Sequence, residues 1–153
     1  MYDLVILNGN VNIGDLSKSK ICNIGIRDSK ISYIGNDKIT APKIIDANGY
    51  EVTPGFIDLH THSDLSFIVD PDADSKLVQG VTFELMGNCG MSFCSPLSID
   101  NEYQLKERLN RYGVKKNMDW NNFDDWLNEI ETNTPSINVA AQIGHGNLRS
   151  YVM

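Results

Sequence analysis

The sequence predicts an α/β protein in two parts: a strand-only part over residues 1–53 and a part over residues 54–153 in which strands and helices alternate. Three observations predict it. Short apolar runs separated by polar or glycine turns fill the first part. After Pro54-Gly55 the pattern becomes strand, helix, strand, helices, strand, which is how a parallel sheet is laid down. A composition of 41% hydrophobic and 22% charged residues is that of a chain with a packed core.

Each element follows from a local pattern. Leu4 to Leu7 is an apolar run of strand length, and Ile21 to Arg27 and Lys30 to Ile34 follow it. By the period-two rule Cys22, Ile24 and Ile26 share one face while Asn23, Gly25 and Arg27 share the other, as in a half-buried sheet. Arg27-Asp28-Ser29-Lys30 is the hairpin turn between the last two strands. The polar segment from Asn36 to Lys43 reads as a boundary or an edge loop. In the second part, Phe56 to His62 is the first strand, Ala73 to Gln79 a short helix ended by Gly80 at a left-handed C′ position, and Val81 to Met86 the second strand. Two helices come next: Leu105, Leu109 and Tyr112 line one side of the first, and Phe123, Trp126, Leu127 and Ile130 recur at i, i+3, i+4 and i+7 in the other. Asn122 suits the N-cap of that helix, with Asp124 and Asp125 in its first turn. Ile137 to Ile143 is the third strand, ending at Gly144-His145-Gly146.

Several classes of function are disfavoured at this level. A formal charge of −7 repels phosphate backbones, which argues against a nucleic-acid partner. Three cysteines, at 22, 89 and 94, make an odd set without a ladder of spacings, so a secreted disulfide framework is not expected. Cys22 and Cys94 read as packing thiols. The opening Met1 to Asn8 lacks the basic flank of a signal peptide, and no window approaches the ~18–20 apolar residues of a membrane span, so a cytoplasmic protein without membrane contact is expected.

The chemistry gathers on Phe56-Ile57-Asp58-Leu59-His60-Thr61-His62. Alternation sends Ile57, Leu59 and Thr61 to one face, where they can pack against helices, and Asp58, His60 and His62 to the other. Two imidazoles at i and i+2 on one face are within reach of a single divalent cation, with Asp58 able to orient one ring as an acceptor. A bare H-x-H pair is more often two structural histidines. Cys89, between Asn88 and Gly90 after the second strand, is by itself more often a buried inert thiol, but beside two histidines it becomes a third donor.

The run Pro54-Gly55-Phe56-Ile57-Asp58-Leu59-His60-Thr61-His62 resembles the first barrel strand of the amidohydrolase superfamily, and Gly87-Asn88-Cys89-Gly90 narrows the resemblance to the N-acyl-D-amino-acid deacylase (D-aminoacylase) family. The segments Asp46-Ala47-Asn48-Gly49, Gly144 to Arg149 and Tyr151-Val152-Met153 are similar to that group as well. The resemblance implies a small β-sandwich part over 1–53, followed over 54–153 by the first three β/α units of an incomplete metal-dependent hydrolase TIM barrel. It implies His60, His62 and Cys89 as metal ligands, zinc as the metal, and one or two divalent ions in the complete enzyme. His145 is either a substrate contact or a structural histidine.

The activity implied is hydrolysis of a small-molecule N-acyl-D-amino acid to D-amino acid and carboxylate. The proton-carrying aspartate of that family comes from the last barrel strand and two further histidine ligands from middle strands. No position here matches them, so no catalytic residue is carried onto this chain. A (β/α)8 barrel takes roughly 250 residues, so the 153 residues are expected to have no turnover of their own. Two other readings stay open: a cyclic-amide amidohydrolase of the dihydroorotase or hydantoinase kind, and a non-catalytic metal-binding fragment.

Overall fold

The computed structural model describes residues 1–15, 17–93, 97–115, 120 and 122–153. Cys94 lies outside them. The chain divides into two compact units, Met1–Pro54 and Gly55–Met153.

The first unit holds five strands: β1 (Leu4–Val11), β2 (Lys20–Arg27), β3 (Lys30–Gly35), β4 (Lys43–Asp46) and β5 (Glu51–Val52). They form one sheet in the order β3-β2-β1-β4, with β5 also on β1. The first two pairings are antiparallel, whereas β4 and β5 run parallel to β1. Asp28 and Ser29 both take positive φ, 51° and 59°, the two-residue geometry that matches the twist of the strands it joins. Along β2 burial does not alternate as a half-buried sheet would require: Ile24 and Gly25 are both buried, Cys22, Asn23 and Ile26 half-buried, and a register shift against β3 falls between Gly25 and Ile26.

The described strands make a single sheet, one layer of the partial β-domain expected over residues 1–53. Of the two readings of the polar segment after Asn36, the structure shows the edge loop, which carries the chain from β3 at one edge to β4 at the other. Strands of four and two residues are too short to show a period of two, and their pairing with β1 is what defines them.

The second unit is a three-stranded parallel sheet, β6 (Phe56–Asp58), β7 (Val81–Met86) and β8 (Asn138–Ala141), in the order β6-β7-β8. A 3₁₀ turn (Ser63–Leu65), α1 (Ser66–Val69) and α2 (Asp74–Leu77) lie between β6 and β7. Gly80 closes the last at φ 83°. The helices α3 (Ile99–Arg111) and α4 (Phe123–Thr132) lie between β7 and β8, and α5 (His145–Val152) follows β8. Both long helices are capped by side chains: Ser98 Oγ accepts the Asn101 N–H, and Asn122 Oδ1 accepts the Asp125 N–H. Phe67, Met86, Leu105, Leu109, Trp126 and Ile130 form the buried core, with Trp120 edge-on to Trp126 at 5.0 Å between centroids.

Four local features differ from these expectations. β6 stops at Asp58, so His60 and His62 lie beyond the strand. Ile57 and Leu59 are 64% and 62% exposed and do not pack against helices. Tyr112, at the end of α3, is 65% exposed, because the buried stripe of that helix ends at Leu109. The segment from His145 is a helix, where the sequence reading expected only a strand end. No described helix is long and apolar enough to cross a membrane.

Trp126→Ala is expected to destabilise the protein by about 3–5 kcal/mol, because Trp126 is fully buried in this core. Urea unfolding followed by far-UV circular dichroism measures it.

Candidate metal centre

Because β6, β7 and β8 are parallel, the segments after all three emerge at the same sheet end. His60 and His62 follow β6, Cys89 follows β7, and His145 follows β8. Between the two histidines, buried Thr61 donates its N–H and its hydroxyl to the Leu85 carbonyl, each at 3.3 Å. That anchor on β7 leaves both imidazoles exposed, their centroids 5.7 Å apart and their planes at 66°.

The loop after β7 is built on positive φ: 81° at Gly87, 56° at Cys89 and 74° at Gly90. Cys89 holds a left-handed conformation uncommon for a residue with a Cβ, a conformation that survives only where neighbours over-determine it. They do so here. Asn88 Nδ2 donates to the carbonyls of Leu85 at 2.7 Å and Thr61 at 3.3 Å. Gly146 N–H donates to the Gly90 carbonyl, Gly144 N–H to Ser92 Oγ, and Ser92 N–H to Asn147 Oδ1. Asp64 is buried, and burial pushes its carboxyl above the usual range, opposed by the N–H groups of Gly87 and Phe93 at the two ends of the loop.

These constraints bring His60 Nε2 to 3.0 Å from Cys89 Sγ. One donor atom from each of His60, His62 and Cys89 lies within 4.8 Å of the others. Tetrahedral zinc with nitrogen at about 2.0–2.1 Å and sulfur at about 2.3 Å separates its ligands by roughly 3.3–3.6 Å. The cluster therefore brackets what such an ion requires, and two imidazoles with a thiol are a donor set suited to it.

Asp58 is placed otherwise than expected. Its Oδ1 accepts the His60 backbone N–H at 3.2 Å, and its Oδ2 pairs with Lys76 Nζ at 3.0 Å. It acts on the main chain of His60, since the strand has ended and the ring projects outward. Lys76 also meets Glu84 Oε1 at 2.7 Å, with Glu84 fully buried on β7. Lys76, with His60 adding to its effect, holds the Asp58 carboxyl below its ordinary value, and Glu84, more than Asp58, raises Lys76 above its own. His145 begins α5, is exposed and stands outside the three-donor cluster. Thr61, Asp64, Lys76, Glu84 and Asn147 carry no local signal of a role, because each acts across a long stretch of chain. Asn88 sits in a motif whose cysteine draws the attention.

Known proteins resemble this chain in sequence and in fold. The amidohydrolase family model matches residues 43–153, a stretch that contains all the donors above. The chain belongs to the amidohydrolase family. Among characterised members, this amidohydrolase chain is 32% identical over 153 residues to D-aminoacylase and 36% identical over 152 residues to N-acyl-D-glutamate deacylase, both from Alcaligenes xylosoxydans xylosoxydans. Each alignment covers 99% of this chain but 31% and 30% of those proteins, so the chain spans about a third of their length. Among solved structures, N-acyl-D-glutamate deacylase from Bordetella bronchiseptica, complexed with zinc and a phosphonate mimic of the tetrahedral intermediate, superposes with a TM-score of 0.82 at 32% identity. It is matched over 99% of this chain and 31% of its own. A D-aminoacylase structure superposes at 0.81 and 28% identity over the whole chain and 32% of its own length. An L-hydantoinase from Arthrobacter aurescens is more distant, at 0.52 and 26% over 70% of this chain and 25% of its own.

At Gly87 an added Cβ would lie 2.1 Å from the Gln142 carbonyl oxygen, on a backbone already at positive φ. Gly87→Ala is therefore expected to cost at least about 1–3 kcal/mol. It should also weaken metal uptake, since it pushes the Cys89 loop away from β8; urea unfolding and a zinc titration of the same preparation report the two effects.

Proposed function

We propose that the intact protein is a zinc-dependent hydrolase that cleaves the linear amide of small N-acyl-D-amino acids, and that His60, His62 and Cys89 are metal ligands in it. The observation that carries this reading is the convergence of two imidazoles and one thiol from two parallel strand ends. The named activities of the relatives point the same way, and one neighbour is described as having a binuclear metal centre, which supports one or two divalent ions here. Residues 54–153 then supply the first three β/α units of a barrel, and residues 1–53 a separate β part.

When bound, a divalent cation lowers the pKa of water toward neutrality and polarises the acyl carbonyl. The residues of this chain set up that chemistry. His60 and His62 offer neutral ring nitrogens and Cys89 a thiolate, which a coordinating cation keeps deprotonated. Asp58 fixes the backbone from which His60 projects, and Asn88 joins the histidine segment to the cysteine loop. His145, exposed at the same sheet end, is read as a substrate contact, with a structural role as the alternative. The general base is assigned to none of these 153 residues. An acidic surface suits a small-molecule substrate better than a nucleic acid.

Cys89→Ala and His60→Ala should each lower zinc affinity and hydrolysis of N-acetyl-D-amino acids by at least about 100-fold, since groups that merely support a ligand are already worth about 10–100-fold. Bound zinc by elemental analysis and release of free D-amino acid are the measurements. Full zinc content and cyclic-amide hydrolysis by Cys89→Ala would instead favour the hydantoinase-like reading.

A further inference from the structure

Asp58 and Glu84 are register partners on adjacent parallel strands. Two carboxylates side by side on neighbouring strands repel, and a fully buried one is costly unless a cation pairs with it. Lys76, on the single turn of α2, reaches between them, 2.7 Å from Glu84 Oε1 and 3.0 Å from Asp58 Oδ2. Neither buried Glu84 oxygen makes a hydrogen bond of good geometry among the described residues, so the ionic contact with the ammonium at 2.7 Å is what neutralises that side chain.

The contacts continue toward the metal-binding donors. Asp58 Oδ1 holds the His60 N–H at 3.2 Å, and His60 Nε2 stands 3.0 Å from Cys89 Sγ. β7, which carries Glu84, runs directly into the Cys89 loop. Strand β6 has only three residues and ends before His60, so ladder bonds of β6 do not hold that residue. We propose that Lys76 is a positioning residue of the metal centre: its own ion pair with Asp58 Oδ2 holds that carboxylate and thereby sets the main chain from which His60 meets the cation, while its pairing with buried Glu84 is a second, separable role. The proposal rests on the zinc reading above. A purely structural lysine would only neutralise Glu84, and the two roles separate when the buried carboxylate is removed.

The test is a Co²⁺ titration of the full-length protein, read by the thiolate-to-cobalt charge-transfer absorption and the visible ligand-field bands, with urea unfolding of each apo-protein alongside. The unsubstituted protein should show the charge-transfer band and Cys89→Ser should lack it. Absence of that band from the unsubstituted protein defeats the metal reading itself, before any lysine variant is compared. Lys76→Met is expected to weaken Co²⁺ binding and to lose stability as well, because Glu84 is left unpaired. The deciding comparison is Glu84→Met against Lys76→Met/Glu84→Met, where no buried charge remains. From the first to the second, Co²⁺ affinity should fall at least about tenfold, the lower bound for a group that orients a ligand, with a changed ligand-field envelope and little change in apo stability. Lys76→Arg should recover affinity to within a few-fold of the unsubstituted protein. Equal affinities and superimposable spectra for Glu84→Met and the double variant would overturn the proposal and leave Lys76 a charge-neutralising residue only.

Discussion

The parallel pairing of β7 with β6 on one side and β8 on the other is the constraint from which the rest of the second unit follows. Parallel strands deliver their following segments to one end of the sheet, so three stretches far apart in sequence meet without any of them being designed to meet locally. β7 is the central member. It offers the Leu85 carbonyl that receives Thr61, it buries Met86 in the core and Glu84 beneath Lys76, and it leads into the loop of Cys89. Displacing β7 would move every donor of the candidate metal centre at once.

Around that centre the polarity is divided between groups that hold and groups that are held out. Thr61, Asp64 and Asn147 are buried and spend their hydrogen-bonding capacity on backbone, as does half-buried Asn88. His60, His62 and Cys89 are exposed and stand on that scaffold. A ligand set on loops is as accurate as its supporting bonds. The positive φ at Cys89 shows the scaffold imposing a shape that an unsupported chain would avoid.

The parts of the fold that were legible are those whose signal is local. The hairpin at Asp28-Ser29, the strand Val81 to Met86, the Asn122 cap and the buried stripe through Trp126 and Ile130 each declare themselves within a few residues, through turn chemistry, period or capping. The strands β4 and β5 were not legible, because four residues and two become strands only on β1. The length of β6 is not legible for a related reason: alternation over Phe56 to His62 is equally compatible with a strand or with a short strand and an anchored loop, and Thr61 on Leu85 selects the second. Tyr112 continued a helical stripe by spacing but fell past the last buried turn.

By itself the sequence determined the residue types available to the site, two imidazoles at i and i+2 and a thiol in a glycine-flanked turn, and with them the family to which the chain belongs. Only the tertiary structure decided how those groups are held. Asp58 looked like a partner for an imidazole ring and proves to be a brace on the His60 main chain, tied through Lys76 to Glu84. The reason is physical: a covalent neighbour can be read from spacing, but the partner of a charge is chosen by which strands pair and in which register, and here that register sets Asp58 beside Glu84.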